Sequence, residues 1–213
     1  MIIQIIADSP IPDLDRLDSN LSIICLDGAI YQLFNSNIKV KYLIGDLDAV
    51  DEAILAKSRS LGVSIIKVED QDSNDLEKGL ILAIELGATE VMVFQAVGGR
   101  MDQTLYNLGL LKKFYGYIPK LSILNNNETI VYLEDANFSL CGRIGLEIAI
   151  MGFPSVVVTS SGLEYDMQRL ELKLGGMQSS SNKLNAGVAD VTIDGAALLI
   201  HHKDITLQNK IAI

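Results

Sequence analysis

The chain has 213 residues, 27 of them acidic and 17 basic, for a formal net charge of −10. With 49% hydrophobic and 21% charged residues it has the balance of a folded chain, long enough for one or two domains with real cores. No apolar run approaches the roughly 18 residues of a membrane span, and the acidic balance argues against nucleic acid as a partner.

The first segment, Met1-Ile2-Ile3-Gln4-Ile5-Ile6, has no basic region or cleavage site and reads as a strand rather than a signal peptide. Up to residue 125, β-rich runs alternate with helical patterns. Strands are predicted at Ile2–Ile6, Leu21–Leu26, Lys41–Ile44, Val63–Val68, Val91–Gln95 and Leu121–Leu124. Helices are predicted at Ala29–Asn35, Asp51–Leu61, Asn74–Leu86 and Asp102–Tyr115. The third helix is the clearest, with Leu76, Leu80, Ala83 and Ile84 on one face and Ser73 or Asn74 as its cap. Such alternation implies a mostly parallel sheet covered on both faces.

After Asn125-Asn126-Asn127 the helical periodicity stops. Thr129–Leu133, Ile144–Ile150, Ser155–Thr159, Val188–Ile193 and Ala197–His201 have strand length, and the spacing suggests an antiparallel sandwich or barrel. The expected organisation is therefore an α/β domain over residues 1–125 and an all-β domain over 126–213. Cys25 and Cys141 stand far apart in apolar contexts and read as thiols of a cytoplasmic protein. His201-His202, with no cysteine cluster, gives no zinc site.

In a parallel sheet, functional groups gather at the carboxyl ends of the strands. Four acidic or glycine-rich segments fall there: Asp27-Gly28, Gly45-Asp46-Leu47-Asp48, Glu69 to Asp75, and Gly98-Gly99-Arg100-Met101-Asp102. Crowded carboxylates repel one another, and Mg²⁺ accounts for them with a few carboxylates plus water and phosphate oxygens. Gly98-Gly99 permits close backbone approach, the following helix start favours an anion, and Arg100 can fork onto phosphate. Together these features describe a site for a Mg-nucleotide. The P-loop pattern is absent, so a nucleotide would bind by another route. Lys78, one turn inside its helix, could reach phosphate or pair with a neighbouring carboxylate.

Asp27-Gly28-Ala29, Gly45-Asp46-Leu47-Asp48, Asp70-Gln71-Asp72-Ser73-Asn74-Asp75 with Lys78, and Gly98-Gly99-Arg100-Met101-Asp102-Gln103 resemble, in order, the signatures of the thiamine pyrophosphokinase family. Ser161-Gly162-Leu163-Glu164-Tyr165 and Ser179-Ser180-Ser181-Asn182 extend the resemblance into the second half. Family members transfer diphosphate from ATP to the hydroxyethyl alcohol of thiamine. The resemblance implies an α/β domain, a β-sandwich and a homodimer with shared active sites. It implies that Asp46, Asp48 and Asp72 handle Mg²⁺ and the ATP phosphates, with Asp102 beside them near the thiamine hydroxyl. Asp27, Asp75, Lys78, Gly98, Gly99 and Arg100 fall to ATP; Tyr165, Ser179, Ser181, Asn182 and Gln103 fall to thiamine. Ala29, Ala49 and Asn74 depart from the family's Gly, Ser and Thr, and every candidate carboxylate is retained.

Other readings remain open at this level. Asp46-Leu47-Asp48 also resembles the aspartyl-nucleophile loop of haloacid-dehalogenase-type phosphatases, although it follows the third strand rather than the first. A pyrophosphokinase of a pterin alcohol, or a non-catalytic thiamine or nucleotide sensor, would share most of these residues.

Overall fold

The computed structural model describes residues 1–9, 16–34, 38–70 and 72–209, and the chain divides into two units, Met1–Asn126 and Asn127–Ile213. In the first unit, β1 (Ile2–Ile6), β2 (Ser22–Leu26), β3 (Tyr42–Gly45), β4 (Ser64–Lys67), β5 (Glu90–Phe94) and β6 (Lys120–Asn125) are joined by parallel pairings in the order β4-β3-β2-β1-β5-β6. The central strands are continuous apolar runs because helices cover both faces. Ile3, Ile5, Ile6, Ile23, Ile24 and Val91 are fully buried. Gln4, equally buried, is satisfied by two bonds to the Asp18 backbone, at 2.7 and 2.8 Å.

Among the described residues, four helices connect these strands: α1 (Ile30–Leu33), α2 (Glu52–Ser60), α3 (Asp75–Glu85) and α4 (Met101–Lys113). Of the two expected caps for α3, Asn74 takes the role, its Oδ1 accepting from the Glu77 N–H at 2.9 Å. Gly79 lets α3 lie close on the sheet, since a Cβ there would stand 2.8 Å from Leu26 Cδ2. The first expected helix is shorter than predicted. A 3-10 turn, Asp27–Ala29, leads into the single turn of α1, and Asn35, its expected end, lies outside the described residues.

The strand order reverses at β1, which has β2 on one side and β5 on the other. A parallel sheet opens a crevice at the carboxyl ends of the strands flanking such a reversal. No helix among the described residues is long and apolar enough to cross a membrane.

The second unit is a β-sandwich built from β7 (Glu128–Glu134), β8 (Asn137–Cys141), β9 (Glu147–Ser161), β10 (Leu170–Lys173), β11 (Ser179–Lys183), β12 (Val188–His202) and β13 (Thr206–Asn209). Strands expected separately at Ile144–Ile150 and Ser155–Thr159 are one strand, β9; those expected at Val188–Ile193 and Ala197–His201 are β12. Gly195 does not end β12: the register against β9 shifts between Gly195 and Ala197, and pairing resumes. The two long strands pair along their length and pass from one layer to the other. The first half of β12 also pairs with β8 and the second half with β7, while β9 pairs first with β11 and then with β10. Phe138, Leu140, Ile150, Val158, Leu172 and Leu199 fill the core. Leu133, Val131 and Leu207 pack against its rim.

Candidate active site

The crevice predicted by the strand order is a cleft of about 770 Å³ in the first unit. Among the described residues, five carboxylates line it (Asp8, Asp27, Asp46, Asp70 and Asp75) against two cations, Lys78 and Arg100. Asp27 follows β2 directly, and Asp46 and Asp48 follow β3, the neighbouring strand. One carboxylate oxygen from each of Asp27, Asp46 and Asp48 lies within 4.8 Å of the others. Gly45 permits this approach, because a Cβ there would lie 2.9 Å from the Asp27 Cβ. Leu47, between the paired aspartates, and Gln95, at the end of β5, both take left-handed backbone angles (φ 64° and 55°). Non-glycine residues adopt that region where the surrounding fold holds them, and such sites cluster around function.

Asp27 is only 8% exposed, and its Oδ1 is fully buried with no hydrogen-bond partner. Burial, followed by the charges of Asp75, Asp46, Asp48 and Asp8, pushes its carboxyl up to about 6. An orphaned carboxylate oxygen among other carboxylates is unfavourable without a cation, and an all-oxygen donor set suits a hard divalent ion. These residues fit Mg²⁺. Asp46 is further oriented by the Asp48 N–H, which donates to its Oδ1 at 3.2 Å.

The triad contains Asp27 where the resemblance implied Asp72. Asp70 and Asp72 follow β4, one strand further toward the sheet edge. Asp72 is exposed, and its N–H donates to Asp70 Oδ1 at 3.1 Å. Ser73 also donates to Asp70, and this bond, then the Asp72 N–H, holds the Asp70 carboxyl below its ordinary range. Gln71, the centre of that motif, lies outside the described residues.

Asp75 opens α3 and accepts from Lys78 Nζ at 3.2 Å. Lys78 is 5% exposed and also lines the cleft, so the ion pair and a reach toward phosphate are compatible. Gly98 and Gly99 are exposed on the loop leading to α4. Arg100 forks onto Asp102, at 3.1 and 2.6 Å, and both are exposed. The Arg100 hydrogen bond, with the Gln103 N–H, holds the Asp102 carboxyl below the usual range. Gln103 lines the cleft and accepts from Asn74 Nδ2 at 3.3 Å. Asn74 also donates to Asn107 at 2.8 Å, and Asn107 to the Ala96 carbonyl at 2.7 Å, which ties the start of α3 to α4 and the end of β5.

Residues not singled out from sequence complete the cleft. Asp8 lies just past β1 and accepts from Gln32 at 3.0 Å, and Gln95 donates to Gln32 at 3.0 Å. The place of Asp8 after the first strand was a usable signal; nothing in the sequence marked Gln32 or Gln95.

In the second unit, a separate hollow of about 200 Å³ is lined by Tyr165, Asp166, Met167, Gln178, Ser179, Ser180 and Asn182, with Leu170 and Leu172 beneath. Tyr165 is 65% exposed, whereas Asn182 is buried. Ser181 is exposed beside the hollow without lining it. Sequence reasoning did not mark Asp166 or Gln178.

The family profile "Thiamin pyrophosphokinase, catalytic domain" matches residues 15–123, about half of the chain. "Thiamin pyrophosphokinase, vitamin B1 binding domain" matches residues 146–199. Thiamine pyrophosphokinase 1 of Arabidopsis thaliana is 28% identical over 157 residues, covering 65% of this chain and 56% of that protein. Thiamine pyrophosphokinase 3 of Oryza sativa subsp. japonica is 25% identical over 213 residues, covering 83% of this chain and 76% of the relative. Thiamine pyrophosphokinase from Bacillus subtilis superposes with a TM-score of 0.83 at 22% identity, over 96% of this chain and all of the other. The Candida albicans enzyme gives 0.80 at 20% identity, over 94% and 88%. At these identities the solved structures speak to the fold.

Proposed function

The chain belongs to the thiamin pyrophosphokinase family, and from that premise we propose that it transfers the diphosphate of ATP to the hydroxyl of thiamine, giving thiamine diphosphate and AMP. The observation that carries the proposal is the cluster of Asp27, Asp46 and Asp48, one carboxylate oxygen of each within 4.8 Å of the others, with Asp27 and Asp46 lining a cleft shared with Gly98, Gly99 and Arg100. Asp27, Asp46 and Asp48 would hold Mg²⁺, which when bound neutralises phosphate charge and favours departure of AMP. Lys78 and the start of α4 contribute positive potential on the phosphate side.

Arg100 and Asp102 act as an exchangeable pair in this reading. Arg100 turns from Asp102 to phosphate oxygens, and the released carboxylate accepts a hydrogen bond from the attacking alcohol. The chemistry then depends on positioning and charge, as in other phosphoryl transfers. In the second domain, the exposed Tyr165 ring offers an aromatic face to the cationic thiazolium. We extend the proposal to a cytoplasmic homodimer with shared active sites, in a compartment where Cys25 and Cys141 stay free thiols. Burial, then Asp8 and Asp27, pushes the Cys25 thiol far up, which keeps it unreactive.

An AMP-release assay with ATP and Mg²⁺, with and without thiamine, tests the reaction. AMP and thiamine diphosphate should form in equal amounts, and only with thiamine present. Release of inorganic phosphate from phosphoesters without thiamine would point to a phosphatase, and thiamine-independent turnover with a pterin alcohol to the related acceptor. Tyr165→Ala should weaken thiamine binding by about 1–3 kcal/mol, the scale of stacking on an aromatic platform, while ATP binding changes far less. Calorimetric titration of both ligands checks this, and equal weakening of the two would give Tyr165 a packing role instead.

A further inference from the structure

β11 has the sequence Ser-Ser-Ser-Asn-Lys, without one apolar side chain, yet Asn182 within it is 2% exposed. The register of β11 against β9 shifts between Ser179 and Asn182, and Ser181 takes a left-handed φ of 59°. The irregularity delivers Asn182 inward. Its Oδ1 accepts from the Tyr165 N–H at 3.1 Å and the Lys183 N–H at 2.9 Å. Its Nδ2 donates to the Tyr165 carbonyl at 2.9 Å and to the Ser179 hydroxyl at 3.4 Å. A carboxamide has two donor hydrogens and two acceptor positions, so its capacity is filled.

Asp166 holds the same loop from within. It accepts from the Leu163 N–H at 3.0 Å, the Gly162 N–H at 3.3 Å and the Ser160 hydroxyl at 3.4 Å. The Ser160 hydroxyl in turn accepts from the Met167 N–H at 2.9 Å. Both polar groups of the Tyr165 peptide are thus fixed by one buried amide, while its ring faces solvent at the rim of the hollow.

We propose that Asn182 is a positioning residue for the acceptor substrate: it fixes the Tyr165 peptide so that the ring is presented in one pose. The proposal rests on the reading of Tyr165 as the platform for thiamine. A direct contact from Asn182 to the substrate, as the family resemblance implied, would require one of these four bonds to break. A ring on a fixed backbone also binds without the entropic cost of ordering its loop.

The chain has no tryptophan, so Tyr165→Trp introduces a single fluorescent reporter. In the ligand-free protein, adding Asn182→Ala should lower the anisotropy of that indole while thermal unfolding remains cooperative. Asn182→Asp, which can still accept from the residue-165 N–H, should restore part of it. In a double-mutant cycle, Asn182→Ala should weaken thiamine binding about tenfold when Tyr165 is present and less than about twofold when Tyr165→Ala is already made. If Asn182→Ala fails to fold, Asn182→Asp carries both measurements. Unchanged anisotropy, or the same loss of affinity in both backgrounds, overturns the positioning role. Should the unmutated protein bind no thiamine while the anisotropy still falls, the acceptor reading fails and the positioning of residue 165 stands.

Discussion

Asp27→Asn should lower turnover by about a hundredfold or more, and at the same time make the metal-free protein more stable at neutral pH. The catalytic loss follows from removing a charged ligand from the triad, on the scale of one well-placed electrostatic element. The gain in stability follows from the sign of the perturbation. The Asp27 carboxyl is pushed up to about 6, from an ordinary 3.8, by burial and by the surrounding aspartates. The folded protein therefore keeps a proton that the unfolded chain releases. The associated stability is present in full below about pH 4 and is lost as pH rises through about 6. Asn mimics the protonated form and should not show that loss. With a chelator present, the melting temperature of the native protein should fall relative to the variant between about pH 4 and pH 6.5. Adding Mg²⁺ should reverse the ranking, since a ligand stabilises the form that binds it. A variant that turns over normally, or that melts lower in chelator, would remove Asp27 from the metal site. Asp72→Asn in the same assays separates the observed triad from the ligand set implied by resemblance. A loss there as large as at Asp27 would return Asp72 to the metal.

The fold was legible wherever local pattern and tertiary environment agree. Ile2–Ile6 is apolar on both faces because the strand is central, and Asn74–Leu86 shows helical periodicity because one face of α3 packs on the sheet. The second half was legible as β, but not in its strand count. Gly152, Pro154 and Gly195 look like breaks along the chain, whereas in the sandwich the long strands continue past them as they change layers. β11 was invisible because Ser179–Lys183 carries no hydrophobic signal; its place comes from pairing with β9 and from the inward turn of Asn182.

The candidate carboxylates were visible as residues, but their grouping was not. Sequence order sets Asp27 and Asp72 at similar separations on either side of Asp48, and in the sheet β3 is flanked by both their strands, β2 and β4. What decides which carboxylates meet is how soon each follows its strand: Asp27 comes directly after β2, whereas Asp72 lies further along the loop after β4. Burial does the rest: Asp27 is perturbed because it is both enclosed and surrounded, which no linear motif encodes. The Arg100–Asp102 fork is a similar case, since residues two apart at a helix start share no face until the turn before the helix brings them round.

Two variants that are each inactive at limiting thiamine should restore one another when mixed, to about a quarter of native activity. This follows from the proposed homodimer with shared sites. Asp46→Asn damages the metal triad, and Tyr165→Ala damages the acceptor platform. In a two-fold dimer the two sites are equivalent, each taking the acidic cleft from one subunit and the tyrosine from the other. A mixed dimer then holds one site carrying both lesions and one carrying neither. Random exchange at equal amounts makes about half of the dimers mixed, each with one working site in two, which gives the quarter if the sites act independently. Sites built within a single chain predict something different: every subunit keeps its own lesion, and mixing adds nothing to the average of the separate variants. Native mass spectrometry can verify that exchange has occurred. Exchanged dimers without recovered activity would confine each site to one chain, while leaving the reaction and the role of the triad as they stand.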